Sequence, residues 1–136
     1  MDITTIPDEL GLAGGWQTST DGYQLTAAGL DVDAAARWMV AHQARFVTIT
    51  ARPAPDGECR IEYHWDLEGR LLTLVTQTRG GRIPSIGLVC PAADWVEREV
   101  HEYFAVEFQG RGELPPLMLR RDHPAGIFTP RGGQKP

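Results

Sequence analysis

Between residues 59 and 66 the chain alternates without a break, with Cys59, Ile61, Tyr63 and Trp65 set against Arg60, Glu62, His64 and Asp66. Successive side chains of a β-strand point to opposite faces, so this period of two marks a strand with one dry face and one wet face. The rest of the chain must therefore build a sheet around it and cover one side. Val47-Thr48-Ile49-Thr50, within residues 45–52, supplies a β-branched strand before it, and Leu71 to Gln77 supplies one after it. The turns between them, Pro53 to Gly57 and Glu68-Gly69, are short, which favours an antiparallel meander.

Two amphipathic segments are available as cover. Asp31 or Asp33 caps a helix that runs through Ala34-Ala35-Ala36 to about residue 43, with Val32, Ala35, Ala36, Met39 and Val40 on its buried side. Cys90-Pro91 opens a second helix that ends near Phe104, with Asp94 favourable at its positive end. Winding this helix at about 100° per residue gives a stripe of Ala92, Val96, Val100, Tyr103 and Phe104. Glu99 falls among them, between Trp95 and Tyr103. Its carboxylate then calls for a cation such as Arg60 or Arg70, while Asp94, Arg98 and Glu102 form a separate, solvated row. The order of elements predicts an α/β (α+β) two-layer sandwich, a mainly antiparallel sheet with both helices on one face.

The ends read differently. Residues 1–14 are polar, carry Pro7 and finish at Gly14-Gly15, a loosely held start. Trp16 to Leu25 suggests a strand or hairpin around Asp21-Gly22. The folded domain is placed at 15–109. Beyond it, 110–136 holds Pro115, Pro116, Pro124 and Pro130 with several glycines, the composition of an extended arm. Leu114, Leu117, Met118 and Leu119 are too apolar to be left in water and are expected to pack on the domain or on another subunit. Residues 131–136 read as a mobile end.

With 18 acidic against 13 basic residues and a net charge of −5, the chain is not expected to bind nucleic acid. Its two cysteines, Cys59 and Cys90, lack CxxC spacing, which suits neither a disulfide framework nor an iron–sulfur cluster and fits a reduced, cytoplasmic setting. No stretch approaches the roughly 18–20 apolar residues of a membrane span, and Met1-Asp2 begins without signal-peptide character. Any membrane location is then peripheral, through partner subunits.

Candidate chemistry is thin. His101-Glu102 begins an HExxH pattern, but Ala105 stands where the second histidine belongs. Cys59, His64, Cys90 and His101 are possible metal ligands, yet Cys59 and His64 have opposite strand parity and so point to opposite faces. There is no G-x-S-x-G turn and no phosphate loop, and Arg79-Gly80-Gly81-Arg82 reads as a plain mobile turn. No catalytic residue, cofactor or metal site is assigned.

The densest charge lies in the second helix and just beyond it. Glu97-Arg98-Glu99, then Glu102, Tyr103-Phe104, a basic residue at Arg111, Pro115 and Leu117-Met118 together resemble the signature of the thirty-kilodalton subunit of NADH:quinone oxidoreductase, respiratory complex I. A shorter homologue occurs in the related membrane-bound nickel–iron hydrogenases. The likeness covers about Arg45 to Leu119. Ala105 stands where that pattern has Gly, Arg111 where it has His or Lys, and Gly112 where Pro follows. The chain stops soon after the signature, which favours the shorter, hydrogenase-type relative.

The resemblance implies a structural subunit without a cofactor, bracing the large subunit that houses the quinone pocket or the nickel–iron centre. Trp95, Glu97, Arg98, Glu99, Glu102, Phe104, Arg111 and Leu117 are then its structural or interface residues. A stand-alone metal-dependent hydrolase using His64, His101 and acids, and a free-standing binding module, are the rival expectations.

Overall fold

The computed structural model describes residues 3–12, 15–20, 22–112, 115–120 and 122–129. Strand β4 (Cys59–Leu67) is the alternating segment, and its Cys59, Ile61, Tyr63, Trp65 and Leu67 are all buried. It pairs antiparallel with β3 (Arg45–Pro53) on one side and β5 (Arg70–Gln77) on the other. Glu68 (φ 54) and Gly69 (φ 81) make the β4–β5 turn, both left-handed, as a two-residue hairpin turn that follows strand twist requires. Asp66 Oδ1 accepts the Gly69 amide at 2.9 Å and steadies it.

The expected hairpin forms as β1 (Gln17–Thr18) and β2 (Gly22–Thr26), and it joins the same sheet. β2 runs parallel to β5, giving the order β1-β2-β5-β4-β3, antiparallel except at that one junction. The parallel junction is made possible by helix α2 (Val32–Ala41), which carries the chain over the sheet from β2 before the meander begins. Asp31 caps α2 by accepting the Ala34 amide at 3.0 Å. Val32, Ala35, Ala36 and Met39 are buried as expected, but Val40 is exposed.

Helix α3 (Asp94–Phe104) follows a 3-10 turn at Pro91–Ala93. Its Val100, with Ala93 from that turn, joins α2 and the odd-numbered side chains of β4 in one core cluster, so both helices cover the same sheet face. This is the two-layer sandwich. On the other face, Arg60, Glu62, His64 and Asp66 are half-buried.

Three features depart from expectation. Ile3 and Ile6 are buried in the main core, the latter in the short helix α1 (Ile6–Glu9). Trp16 Nε1 donates to the Ile3 carbonyl at 2.6 Å and Trp38 Nε1 to Glu9 at 2.6 Å, so residues 3–9 are tied down and not loosely held. A second sheet, two parallel strands β6 (Arg82–Pro84) and β7 (Glu107–Gln109), brackets α3. The Arg79–Arg82 loop is held as well, since Gly80 and Gly81, at φ 63 and 74, each donate an amide to Glu58 at 3.0 Å.

Candidate functional site: a carboxylate clamp on the signature helix

The Glu99 expectation is overturned. Glu99 is exposed, while Glu97 has 0% exposure and Glu102 5%. Arg60 has Glu62 as its acid partner at 3.3 Å, and Arg70 is exposed at the far end of β5. The buried face of α3 is thus turned towards Ala93, Glu97 and Val100, away from the stripe that apolar residues alone define. Ala92 is exposed, Val96 and Phe104 are half-buried against the core, and Tyr103 is half-buried at its edge.

A fully buried carboxylate is tolerated only if its lone pairs are matched and its charge is met. Glu97 satisfies both demands. Its Oε1 accepts from Ser85 Oγ at 2.6 Å and from Arg111 Nη1 at 2.9 Å, and its Oε2 accepts the Ile86 amide at 2.8 Å. Arg111 also pairs with Asp94, one turn earlier on α3. The guanidinium therefore bridges two carboxylates of one helix, the planar fork that suits arginine to such a site. Burial alone would lower the Arg111 pKa, but the bonds to Asp94 and Glu97 outweigh it and raise the value. Conversely, the Arg111 bond holds the Asp94 carboxyl below the ordinary range. A Cβ at Gly87 would stand 3.3 Å from Arg111 Nη1 and 3.4 Å from Glu97 Oε1, so the absence of a side chain there leaves the pair its room.

Glu102 forms the second half. Its carboxylate accepts three successive backbone amides, Leu117 at 2.6 Å, Met118 at 2.8 Å and Leu119 at 3.0 Å. Burial pushes this carboxyl up, and the three amides more than reverse it, leaving it below the ordinary range. The expected solvated row is corrected here too, because Glu102 faces the returning chain. Arg98 links the halves, with Asp94 at 3.5 Å and the Pro116 carbonyl at 2.9 Å.

The chain beyond residue 115 then finishes the helix. Ala105 is left-handed (φ 57), the position at which helices favour glycine. The amides of Gly126 and Phe128 donate to the Glu102 and Tyr103 carbonyls at 2.7 and 2.8 Å, satisfying acceptors that the helix end leaves open. Phe128 packs on Tyr103, with ring centroids 4.7 Å apart, and lies 6.0 Å from Phe104. Leu117 is half-buried and Met118 is exposed, its sulfur accepting from Tyr103 Oη at 3.7 Å. Leu114 and residues 131–136 lie outside the described residues.

Six of the eight named residues therefore meet in one assembly: Glu97, Arg98, Glu102, Phe104, Arg111 and Leu117. Trp95, 70% exposed, and Glu99 lie on the outer side of α3. Ser85 and Gly87 were missed, having no local signal, since their partner is ten or more residues away. The candidate metal ligands do not gather: Cys59 is buried on the core face, whereas His64 lies on the opposite face between Thr50 and Thr73 hydroxyls at 2.8 and 2.9 Å. Among the described residues no three His, Cys, Asp or Glu side chains form a metal-holding group. Nor is any described helix long and apolar enough to cross a membrane.

Several known proteins are similar to this chain. It is 48% identical over 52 residues to the C/D subunit of NADH-quinone oxidoreductase from Methylococcus capsulatus, a match covering 32% of this chain and 9% of that protein. With the C/D subunit from Chromohalobacter salexigens it shares 34% identity over 64 residues, 40% of this chain and 11% of the relative. Two solved structures share the fold. One is from the membrane-bound sulfane sulfur reductase, an archaeal respiratory membrane complex, with TM-score 0.63, 23% identity, and coverage of 87% of this chain and 74% of that one. The other is the trypsin-resistant fragment of Nqo5, with TM-score 0.55, 17% identity, and coverage of 73% and 89%. Residues 26–130, which contain most of the sheet, the carboxylate clamp and the returning arm, match the family model of the 30 Kd subunit of respiratory-chain NADH dehydrogenase, and the chain belongs to that family.

Proposed function

We propose that this chain is a non-catalytic structural subunit of the hydrophilic arm of a complex I-like assembly, an NADH:quinone oxidoreductase or a membrane-bound nickel–iron hydrogenase. Its role is to brace the large subunit that holds the quinone or nickel–iron site, and its place is the cytoplasmic face of the membrane, reached through partners. The observation that carries this reading is how the signature's charges are used. Glu97, Glu102 and Arg111 are engaged in holding helix α3, the β6 exit and the returning arm together, each carboxylate accepting three hydrogen bonds from within the fold. What α3 and its neighbours offer outward is contact area: Leu88 is 81% exposed, Trp95 70%, Phe128 58% and Met118 55%. Exposed large apolar side chains on a rigid support suit a partner-binding surface.

The arm at 110–136 is part of the same proposal, adding contact area while Glu102 fixes its path. Affinity isolation of the tagged chain from gently solubilised native membranes tests the reading. Co-isolation of a large redox subunit in stoichiometric amount is the expected result. Recovery of the chain only as a free monomer would overturn it.

A further inference from the structure

Two clefts lie where β3 and β5 end and β4 begins, of about 480 and 430 Å³, and they share Ala28, Thr76 and Gln77 and so form one groove. Arg52 and Arg60 line one end, Arg79 and Arg82 the other. The register sets Arg52 directly opposite Arg60 on adjacent strands, with Gln77 next in the row. Like charges facing each other across a strand pair are destabilising unless an anion lies between them. Glu62 answers Arg60 at 3.3 Å and Glu107 answers Arg82 at 3.3 Å. Among the described residues Arg52 and Arg79 have no carboxylate partner, one at each end of the groove. Asp56 is a further acid beside the row, its Oδ2 accepting from Gln77 Nε2 at 3.0 Å, so in a chain of net charge −5 the arginines left without a carboxylate here, among the described residues, are Arg52 and Arg79.

We propose that this groove is a docking site for an extended, acidic polypeptide segment of a partner protein. The shape decides against a single small anion. Strands lie about 4.8 Å apart, so the row from Arg52 through Arg60 to Gln77 alone spans roughly 10 Å. The groove continues past it to Arg79 and Arg82. An extended chain rising about 3.3 Å per residue would place two or more carboxylates along this length. The overall negative charge disfavours a polyanion as long as a nucleic acid, whereas a short acidic segment meets only the groove. The groove is distinct from the α3 clamp, and its occupancy does not rest on the assembly proposed above.

The test uses the full chain alone, so its outcome is independent of co-isolation from membranes. Fluorescently labelled hexaglutamate is titrated by anisotropy at low salt, beside hexaglutamine, inorganic phosphate and hexathymidylate. Hexaglutamate is expected to bind, to weaken as salt is raised, and to lose roughly tenfold in affinity in the Arg52→Gln/Arg79→Gln variant. Arg120→Gln, which breaks an exposed pair with Asp122 elsewhere, should change nothing. Melting curves confirm that both variants fold, and the wild-type salt series stands even if the double variant does not. Equal binding of hexaglutamine, or affinity unaltered by the double substitution, would overturn the site. Displacement of hexaglutamate by equimolar phosphate, or equal binding of hexathymidylate, would overturn the acidic polypeptide as its occupant.

Discussion

Arg111 Nη1 donates to Glu97 Oε1 across 2.9 Å, and no part of the Glu97 side chain meets water. Removing one member of a buried ion pair strands the other, at a cost of roughly 3–5 kcal/mol. Arg111→Ala is therefore expected to lower stability by about that amount in urea denaturation. Glu97→Gln keeps one carbonyl oxygen, which can serve either Ser85 and Arg111 or the Ile86 amide, and leaves Asp94 to Arg111, so it should cost less, about 1–3 kcal/mol. Equal and negligible losses from both would mean that the pair does not support the fold.

Glu99→Ala separates the fold from the interface. Because Glu99 is exposed, its loss should change stability by less than about 0.5 kcal/mol. Trp95→Ala is similarly expected to leave the melting temperature nearly unchanged. Under the proposed function, the two together should weaken co-isolation with partner subunits, measured by quantitative pull-down from membranes. A large loss of stability from Glu99→Ala would return that carboxylate to the core.

Glu99 and Glu102 also show what could be read in advance. The meander, the Asp31 cap and the burial of Ile61, Tyr63 and Trp65 follow from local periodicity, which depends on residues two to four apart. The phase of α3 does not. Its buried face includes two glutamates whose partners are Ser85, Arg111 and the amides of residues 117–119, all more than ten positions away. Apolar side chains alone set a different phase for the helix, which placed Glu99 inward and Glu102 outward. The family signature named Glu97, Glu99 and Glu102 without stating which of them turn inward. The parallel β2–β5 pairing was hidden for a similar reason: Tyr23 and its partner Leu72 lie far apart in the chain, and neither strand carries a local signal of direction.

Ala105 occupies the left-handed position after α3 with φ 57 and ψ 27. A Cβ is strained there and glycine is not, so Ala105→Gly should stabilise the protein by roughly 0.5–1 kcal/mol, net of the flexibility it adds to the unfolded chain. A rise in the denaturation midpoint with an unchanged slope is the expected reading. A fall would show that the Ala105 methyl, packed close to Gly126, contributes more than its backbone strain costs.

Stability should fall in two stages as the medium is acidified. Burial, opposed only weakly by Glu62, holds the His64 imidazole below its ordinary pKa, so the folded state favours the neutral ring. That contribution is present above the ordinary imidazole value and lost as pH falls through the depressed one. Asp94 and Glu102 are carboxyls held low, so their contribution is present above the ordinary carboxylate range and lost at still more acidic pH. Melting temperature against pH should show both declines, with His64→Gln removing the upper and Glu102→Gln reducing the lower. A profile unchanged by either substitution would contradict these assignments.

Glu102 holds the returning arm through the amides of Leu117, Met118 and Leu119, and amide hydrogen exchange reads those three bonds directly. In the wild type the three amides should exchange slowly despite their position near the surface. In Glu102→Gln they should exchange many times faster, while the amides of β4 keep their protection. If the three amides exchange at the rate of an open chain in the wild type, or are unaffected by the substitution, the signature helix does not clamp the arm.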